Sequence, residues 1–206
     1  MVDVSLSVIY YSATGTVHRM AEHAAASAEK AGATVRLRHV EERAPRRAIE
    51  SDPRWLRHVE EVGDGAPATP DDVVWADAVL FGSPTRFGNV TSQFQAFVDT
   101  LGPQWEKGLL QDKVYAGFTS SMTRHGGQES TLLSMYTTFF HFGGVVVPPG
   151  YTDRLAFDDG NPYGVSHQTG GDNDAPLTEV QLHALEHLAK RVVTMSARLK
   201  AGAGAA

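Results

Sequence analysis

The sequence predicts an α/β fold: a doubly wound, five-stranded parallel sheet with helices on both faces. Short apolar, β-branched segments alternate along the chain with longer segments of helical periodicity, and this alternation is typical of a parallel sheet. Hydrophobic residues make up 42% of the 206 residues and charged residues 20%, which is enough apolar side chain to cover both faces of one sheet. We therefore expect a single domain over residues 1–200.

The first predicted unit is a strand, a helix and a second strand. Residues 4–11 are apolar and β-branched, as in a buried strand. Apolar residues then recur at helical spacing from Val17 to Ala31, and Gly32 marks the end of that helix. Residues 34–39 form the second predicted strand. This succession indicates the βαβ unit of a parallel sheet.

A long connection follows, over residues 41–69. It is charged and interrupted by proline and glycine, so only one short helix is predicted in it, near residues 49–59. The third strand is predicted at residues 78–82. Apolar residues between Val90 and Leu101 recur at helical spacing and predict the helix that follows this strand.

The fourth strand is predicted at residues 114–119 and leads into a loop with Gly126 and Gly127. Apolar residues from Leu132 to Phe140 predict the next helix, which Gly143 closes. A short fifth strand at residues 145–147 completes the predicted sheet.

A second long connection is predicted at residues 150–176, which are rich in Gly, Asp, Asn and Pro and lack periodicity. Connections of this length usually have a role in function or assembly. The last helix is predicted at residues 178–200, and the tail 201–206 is expected to fray. With the strand order 2-1-3-4-5, a ligand crevice would lie at the carboxyl ends of strands 1 and 3.

The loop Ser12-Ala13-Thr14-Gly15-Thr16 joins the first strand to the first helix. Its hydroxyls and backbone N–H groups meet at the positive end of a helix dipole, which favours an anion. Neither G-x-x-x-x-G-K-[ST] nor G-x-G-x-x-G follows this strand, so a terminal monophosphate suits the loop better than a triphosphate. The alternative interpretation is a helix-capping cluster without a ligand.

Two further loops face the same predicted crevice. The loop Ser83-Pro84-Thr85-Arg86-Phe87-Gly88-Asn89 combines a rigid turn, a cation and an aromatic ring, and such a loop can frame a flat heterocycle. Taken alone, it could equally be a turn that caps a helix. The loop from Ser120 to Gly127 adds hydroxyls and glycines at the same sheet edge.

Several motifs together resemble the WrbA family of flavodoxin-like proteins. The motifs are Tyr10-Tyr11-Ser12, Pro84-Thr85-Arg86-Phe87-Gly88-Asn89, Gly126-Gly127-Gln128-Glu129, Val147-Pro148-Pro149-Gly150-Tyr151 and Asn161-Pro162-Tyr163-Gly164. The resemblance covers nearly the whole chain. It implies a tetrameric enzyme that binds flavin mononucleotide (FMN) and reduces quinones with NADH or NADPH.

The resemblance also implies which residues hold the cofactor. The predicted FMN contacts are Ser12, Ala13, Thr14, Gly15, Thr16, Val17, Pro84, Thr85, Arg86, Phe87, Gly88, Asn89, Ser121, Met122, Thr123, Arg124, His125, Gly126 and His141. Trp105 is predicted to line the substrate pocket above the ring, and His141 and Arg86 are the predicted catalytic residues. His141 is expected to end its helix beside the ligand edge, where the helix C-terminus would stabilise its protonated form.

The chain departs from the family pattern in two places. Thr14 stands where many members have an aromatic residue near the nicotinamide cofactor, which leaves the choice between NADH and NADPH open. The segment Ser121-Met122-Thr123-Arg124-His125 replaces a run mostly of small residues and glycines. It adds bulk and a cation at the expected pyrimidine end of the flavin.

Composition excludes several other classes of function. The net charge of −6 gives no basic surface for nucleic acid, and the absence of cysteine excludes disulfide and thiolate chemistry. The H-x-x-E-H pattern from His183 to His187 lacks a downstream acidic ligand, so no metal is expected. No segment predicts membrane insertion, and a cytoplasmic protein is expected. A flavodoxin-like one-electron carrier and a non-catalytic FMN-binding regulator remain the alternative functions.

Overall fold

The computed structural model describes residues 2–63 and 65–203. Six strands are found in that part of the chain: β1 (Val4–Tyr10), β2 (Ala33–His39), β3 (Ala78–Pro84), β4 (Val114–Ser121), β5 (Val145–Val146) and β6 (Val165–Gln168). All strand pairs are parallel. The order β2-β1-β3-β4-β5 confirms the predicted doubly wound, flavodoxin-like sheet.

Helices connect the strands. Those in the described residues are α1 (Thr16–Lys30), α2 (Arg46–Glu50), α3 (Pro53–Val62), α4 (Pro70–Trp75), α5 (Ser92–Asp99), α6 (Gly102–Glu106), α7 (Gln128–His141), α8 (Ala156–Asp159) and α9 (Glu179–Ala203). Within the same residues, no helix combines the length and apolar character needed to cross a membrane.

The register brings the carboxyl ends of the central strands to one edge of the sheet. Tyr10 at the end of β1 pairs with Gly82 in β3, and Gly82 pairs with Phe118 in β4. The loops that follow these three strands therefore leave the sheet side by side, as the crevice rule for open α/β sheets requires.

Two apolar cores lie on the two faces of the sheet. Successive residues of a strand point to opposite faces, so Val8 packs into the core beneath α1 and α9, whereas Ile9 packs into the core beneath α5 and α7. Both side chains are fully buried. Close packing of both cores against the sheet fixes the positions of the strands that carry the ligand edge.

The fifth position in the sheet is occupied by two short strands rather than one. β5 pairs with Val114 and Tyr115 at the start of β4, and β6 pairs with residues 118–121 at its end. The expectation that residues 150–176 lack regular structure is therefore wrong for β6 and for the single turn of α8. A strand of four residues is too short to show periodicity, and it forms here because β4 offers it a free edge.

The connection before β3 contains more helix than predicted. Asp52 caps α3 by accepting a 2.9 Å hydrogen bond from the Arg54 N–H, and Pro53 occupies the first helical position. The Asp-Pro pair is a helix-start signal and separates α3 from the short helix α2.

At the other end of the chain, α9 continues to Ala203, past the predicted boundary at residue 200. Residues 204–206 of the predicted tail lie outside the described residues.

Candidate functional site

The loops after β1, β3 and β4 enclose a cleft of about 460 Å³ at the carboxyl edge of the sheet. The residues that line it are Ser12, Ala13, Thr14, Thr16, Val17, Asp52, Trp55, Pro84, Thr85, Arg86, Phe87, Ser120, Ser121, Met122, Thr123, Gly126 and Asn173. The volume falls in the range of small-molecule sites, roughly 300–1,000 Å³. Most of the lining side chains are apolar or carry a hydroxyl, and Asp52, Arg86 and Asn173 add other polar groups.

The first loop presents the N-terminus of α1 to the cleft. Gly15 has a φ of 91°, and among the described residues no side chain caps this helix end. The Gly15 N–H donates to the Ser12 hydroxyl at 3.1 Å, which closes the loop on itself. The Arg19 guanidinium donates to the Thr16 hydroxyl at 3.3 Å and adds a cation one turn further along. Uncapped N–H groups, hydroxyls and a nearby cation together form a site that suits a phosphate.

The second loop is a tight turn beside the cleft. The backbones of Arg86 and Asn89 exchange hydrogen bonds of 2.7 and 3.0 Å. Phe87 and Gly88 at the centre have φ of 53° and 81°, as in a type I′ turn. A positive φ is rare for a bulky residue, and it holds the Phe87 ring out in solvent at the cleft margin.

Hydroxyl contacts fasten the second loop to the start of α7. The Thr85 hydroxyl accepts from the Gly88 N–H at 3.1 Å and lies 2.8 Å from the Thr131 hydroxyl. A Cβ on Gly127 would stand 2.7 Å from the Gly88 Cα, so the two loops approach as closely as glycine allows.

The third loop is tied to the end of β6. The Ser121 hydroxyl donates to the Thr123 carbonyl at 2.7 Å, and the Ser121 carbonyl accepts from the Thr169 N–H at 2.8 Å. Thr169 in turn donates to the Asn173 side chain at 2.6 Å. The long connection after β5 thus supports the cleft and contributes Asn173 to its wall.

Most of the predicted cofactor contacts lie in this cleft. Those in its lining are Ser12, Ala13, Thr14, Thr16, Val17, Pro84, Thr85, Arg86, Phe87, Ser121, Met122, Thr123 and Gly126. Outside the lining are the predicted contacts Gly15, Gly88, Asn89, Arg124, His125 and His141, and so is Trp105, the predicted substrate-binding residue. Gly15, Gly88 and Asn89 shape the loops through their backbone. The side chains of Arg124 and His125 are exposed to solvent.

Three lining residues come from the long connections and were not predicted from the sequence. Asp52 and Trp55 lie at the start of α3, and Asn173 follows β6. The Asp52-Pro53 pair could have located the helix start, but nothing in the local sequence shows that this helix reaches the cleft. The contact between α3 and the connection after β5 forms only in the folded chain, where the Arg54 guanidinium donates to the Asp172 carbonyl.

The expected position of His141 beside the ligand edge is wrong within this chain. α7 starts at the cleft and runs away from it, and its 14 residues span about 20 Å at 1.5 Å per residue. His141 ends that helix near the amino end of β4, where the Val145 N–H donates to the Lys113 carbonyl at 2.9 Å. The indole N–H of Trp105 donates to the His141 carbonyl at 2.7 Å. Both residues therefore lie together, away from their own cleft.

The histidines of the H-x-x-E-H pattern contact the long connection after β5. His183 Nε2 lies 3.1 Å from the Asp153 carboxylate, and His187 Nε2 lies 2.8 Å from the Thr152 hydroxyl. Residues 2–63 and 65–203 contain no group of three His, Cys, Asp or Glu side chains arranged to hold a metal ion.

The cleft joins the N-terminus of α1, which suits a phosphate, to an apolar slot lined by Trp55, Pro84 and Met122. The chemistry of these two parts suits a flat ring that carries a phosphate on a short chain. A flavodoxin-like sheet with such a cleft at its strand ends defines the class: a flavodoxin-like protein with a site for a phosphorylated flavin.

Comparison with known proteins defines the family. Residues 8–154 match the family described as NADPH-dependent FMN reductase. A protein of Deinococcus radiodurans named NAD(P)H dehydrogenase (quinone) is 44% identical over 197 residues, which cover 95% of this chain and 97% of that protein. The chain belongs to this FMN reductase family, and its resemblance to WrbA proteins is confirmed.

Other relatives agree. A Geotalea daltonii protein, also named NAD(P)H dehydrogenase (quinone), is 40% identical over 203 residues, which cover 93% of this chain and 96% of that protein. Among solved structures, a WrbA-like flavodoxin from Agrobacterium tumefaciens matches with a TM-score of 0.66 at 23% identity, covering 95% of this chain and 98% of the other. At that identity the structural match establishes the fold.

Proposed function

We propose that the protein is an FMN-dependent NAD(P)H:quinone oxidoreductase that works by a ping-pong mechanism. The observation that carries the proposal is the cleft itself, in which the uncapped N-terminus of α1 meets a slot with apolar walls. The names of the relatives, NAD(P)H dehydrogenase (quinone), support the reaction. FMN supplies the hydride chemistry when bound, accepting hydride from NADH or NADPH and delivering two electrons to a quinone.

In this proposal the first loop binds the phosphate. The Ser12 and Thr16 hydroxyls, the N–H groups at the start of α1 and the nearby Arg19 supply donors and positive charge. The second and third loops hold the ring between them. The contacts of Thr85 with Thr131 and of Gly127 with Gly88 hold the two loops against each other, and a preformed site of this kind needs little reorganisation on binding.

Arg86 and His141 are the proposed catalytic residues. Arg86 lines the cleft and is exposed, so its guanidinium orients the bound flavin or the phosphate of the incoming nucleotide. His141 donates a hydrogen bond or a proton to the quinone oxygen as negative charge develops there. The two residues thus act on different half-reactions.

We further propose a homotetramer in which each cleft is completed by a neighbouring subunit. Trp105 and His141 lie away from the cleft of their own chain. This supports the assembly, since in it they would contribute to the cleft of a neighbouring subunit. Exposed apolar side chains support it as well: Phe140 and Leu133 are 65% and 46% exposed, and their spacing of seven residues places them on one face of α7. Such a surface is typical of a protein interface. We propose a cytoplasmic location for this assembly.

One anaerobic spectrum tests cofactor and reaction together. Protein saturated with FMN is mixed with NADH or NADPH in the absence of oxygen, and the visible flavin absorption is followed before and after a quinone is added. We expect the nucleotide alone to bleach the flavin and the quinone to restore it. Reduction that requires an added reductase would contradict the proposal and identify a flavodoxin-like one-electron carrier.

A further inference from the structure

The Glu42 carboxylate joins four segments of the chain beside the cleft. Its Oε2 accepts hydrogen bonds from the Tyr11 hydroxyl at 2.6 Å and from the Trp55 indole N–H at 2.8 Å. Its Oε1 accepts from the Gln93 side chain at 2.8 Å and from the backbone N–H of Ala44 at 2.8 Å. One side chain thereby links the first residue after β1, the connection after β2, α3 and α5.

Glu42 is charged in this position. Burial favours the protonated acid, but the hydrogen bonds from Tyr11, Gln93, Ala44 and Trp55 outweigh it and hold the pKa of Glu42 below its ordinary value. Burial and the bond to Glu42 raise the pKa of Tyr11, so the tyrosine keeps its proton and donates. Hydrogen bonds to a charged acceptor are stronger than neutral ones, and the carboxylate therefore holds its donors firmly.

Among these donors, Trp55 also lines the cleft. It lies in the first turn of α3, whose start is fixed by the Asp52 cap and Pro53. Trp55 is restrained at both ends: its backbone lies in the capped first turn of the helix, and its ring N–H donates to Glu42. A partly buried indole held in this way presents a fixed apolar surface to the slot.

We propose that Trp55 packs against the flavin ring in the cleft and that Glu42 is the positioning residue that holds the indole there. This rests on the proposed function, since it assumes that FMN occupies the cleft. Contact between an aromatic side chain and a bound heterocycle is a recurrent source of affinity. The sequence of the connection gives no sign of it, because α3 reaches the cleft only through tertiary packing.

The first test measures FMN affinity and flavin emission. Trp55→Ala is expected to weaken FMN binding about tenfold. In Trp55→Phe the emission of bound flavin is expected to rise several-fold, since indole quenches flavin emission on contact and a phenyl ring does not. Trp75→Phe is the matched control: Trp75 packs against the Arg36 guanidinium at 4.0 Å, outside the cleft lining, and neither quantity is expected to change.

The second test asks whether Glu42 acts through Trp55. Glu42→Gln keeps the shape of the side chain and removes its charge, and it is expected to weaken FMN binding about threefold, less than the loss of the whole indole. In a Trp55→Phe background the same substitution is expected to leave FMN affinity unchanged. A double-mutant cycle that shows this coupling separates positioning from a general loss of stability, which urea denaturation of each variant monitors in parallel.

Two outcomes would overturn the inference. Wild-type FMN affinity in Trp55→Ala together with unchanged flavin emission in Trp55→Phe would show that the indole does not touch the ring. Equal losses from Glu42→Gln in both backgrounds would remove the positioning role. Failure of the wild-type protein to bind FMN is a distinct result, which would overturn the proposed function and this inference with it.

Discussion

The indole N–H of Trp105 donates a 2.7 Å hydrogen bond to the backbone carbonyl of His141. The bond joins α6 to the end of α7, so the two residues form one unit on the surface of the chain. Because this unit lies away from its own cleft, its proposed contribution to quinone reduction depends on a second subunit. Subunit mixing can measure that dependence directly.

Two defective variants are expected to restore each other when they form mixed oligomers. One carries Ser12→Ala and Thr16→Ala in the phosphate loop, and the other carries Trp105→Ala and His141→Ala. A mixed oligomer contains clefts with an intact loop from one chain and intact Trp105 and His141 from the next. After dissociation and reassembly together, quinone reduction with NADH should exceed the mean of the two variants. Activity equal to that mean, with subunit exchange verified, would place the complete site within one chain.

FMN should bind far more tightly than riboflavin. Hydrogen bonds to a charged group contribute roughly 1.5–3 kcal/mol each, and riboflavin leaves the donors of the first loop without an anion. The double variant Ser12→Ala, Thr16→Ala should weaken FMN binding by about 10- to 100-fold while leaving riboflavin affinity nearly unchanged. Fluorescence titration measures both ligands. Equal affinities of the wild-type protein for FMN and riboflavin would contradict the phosphate assignment.

Gly15→Ala should weaken FMN binding, because the loop that presents the N–H groups of α1 requires a φ of 91° at this position. Gly32→Ala is the matched control, since its φ is 94° and an added Cβ would meet no atom within 4 Å. Each substitution should lower the free energy of unfolding by roughly 1–2 kcal/mol, the cost of a left-handed alanine. Only Gly15→Ala should change FMN affinity in a titration. Equal FMN affinities in the two variants would show that loop geometry is not what binds the phosphate.

His58 should make stability depend on pH below neutrality. Burial lowers its pKa from 6.5 to about 4, with help from His18, Arg19 and His39 and against the effect of Glu42. Between these two pKa values the unfolded chain binds more protons than the folded chain. The contribution of His58 to the free energy of unfolding should therefore be fully present above pH 6.5 and be lost as the pH drops toward 4. His58→Gln should flatten this slope in urea denaturation. An unchanged slope would mean that His58 does not titrate as its burial requires.

Much of the fold follows from local sequence, because the core strands are apolar runs and the segments between them show clear helical periodicity. The order of the strands then brings the Ser12 and Thr85 loops to one edge, as predicted. Trp55 could not be predicted in the cleft, since its position depends on the packing of α3. His141 was misplaced because the direction of a helix decides which end meets the ligand, and α7 runs away from the cleft.

The divided edge of the sheet also has a consequence for engineering. β5 and β6 pair with different parts of β4, and residues 147–164 leave the sheet between them and return. The main-chain pairing of β6, which supports the third loop of the cleft, is with β4 and not with the residues of this excursion. Because most side chains of residues 154–160 are exposed, new termini or a reporter domain placed there are expected to leave the ligand edge in register.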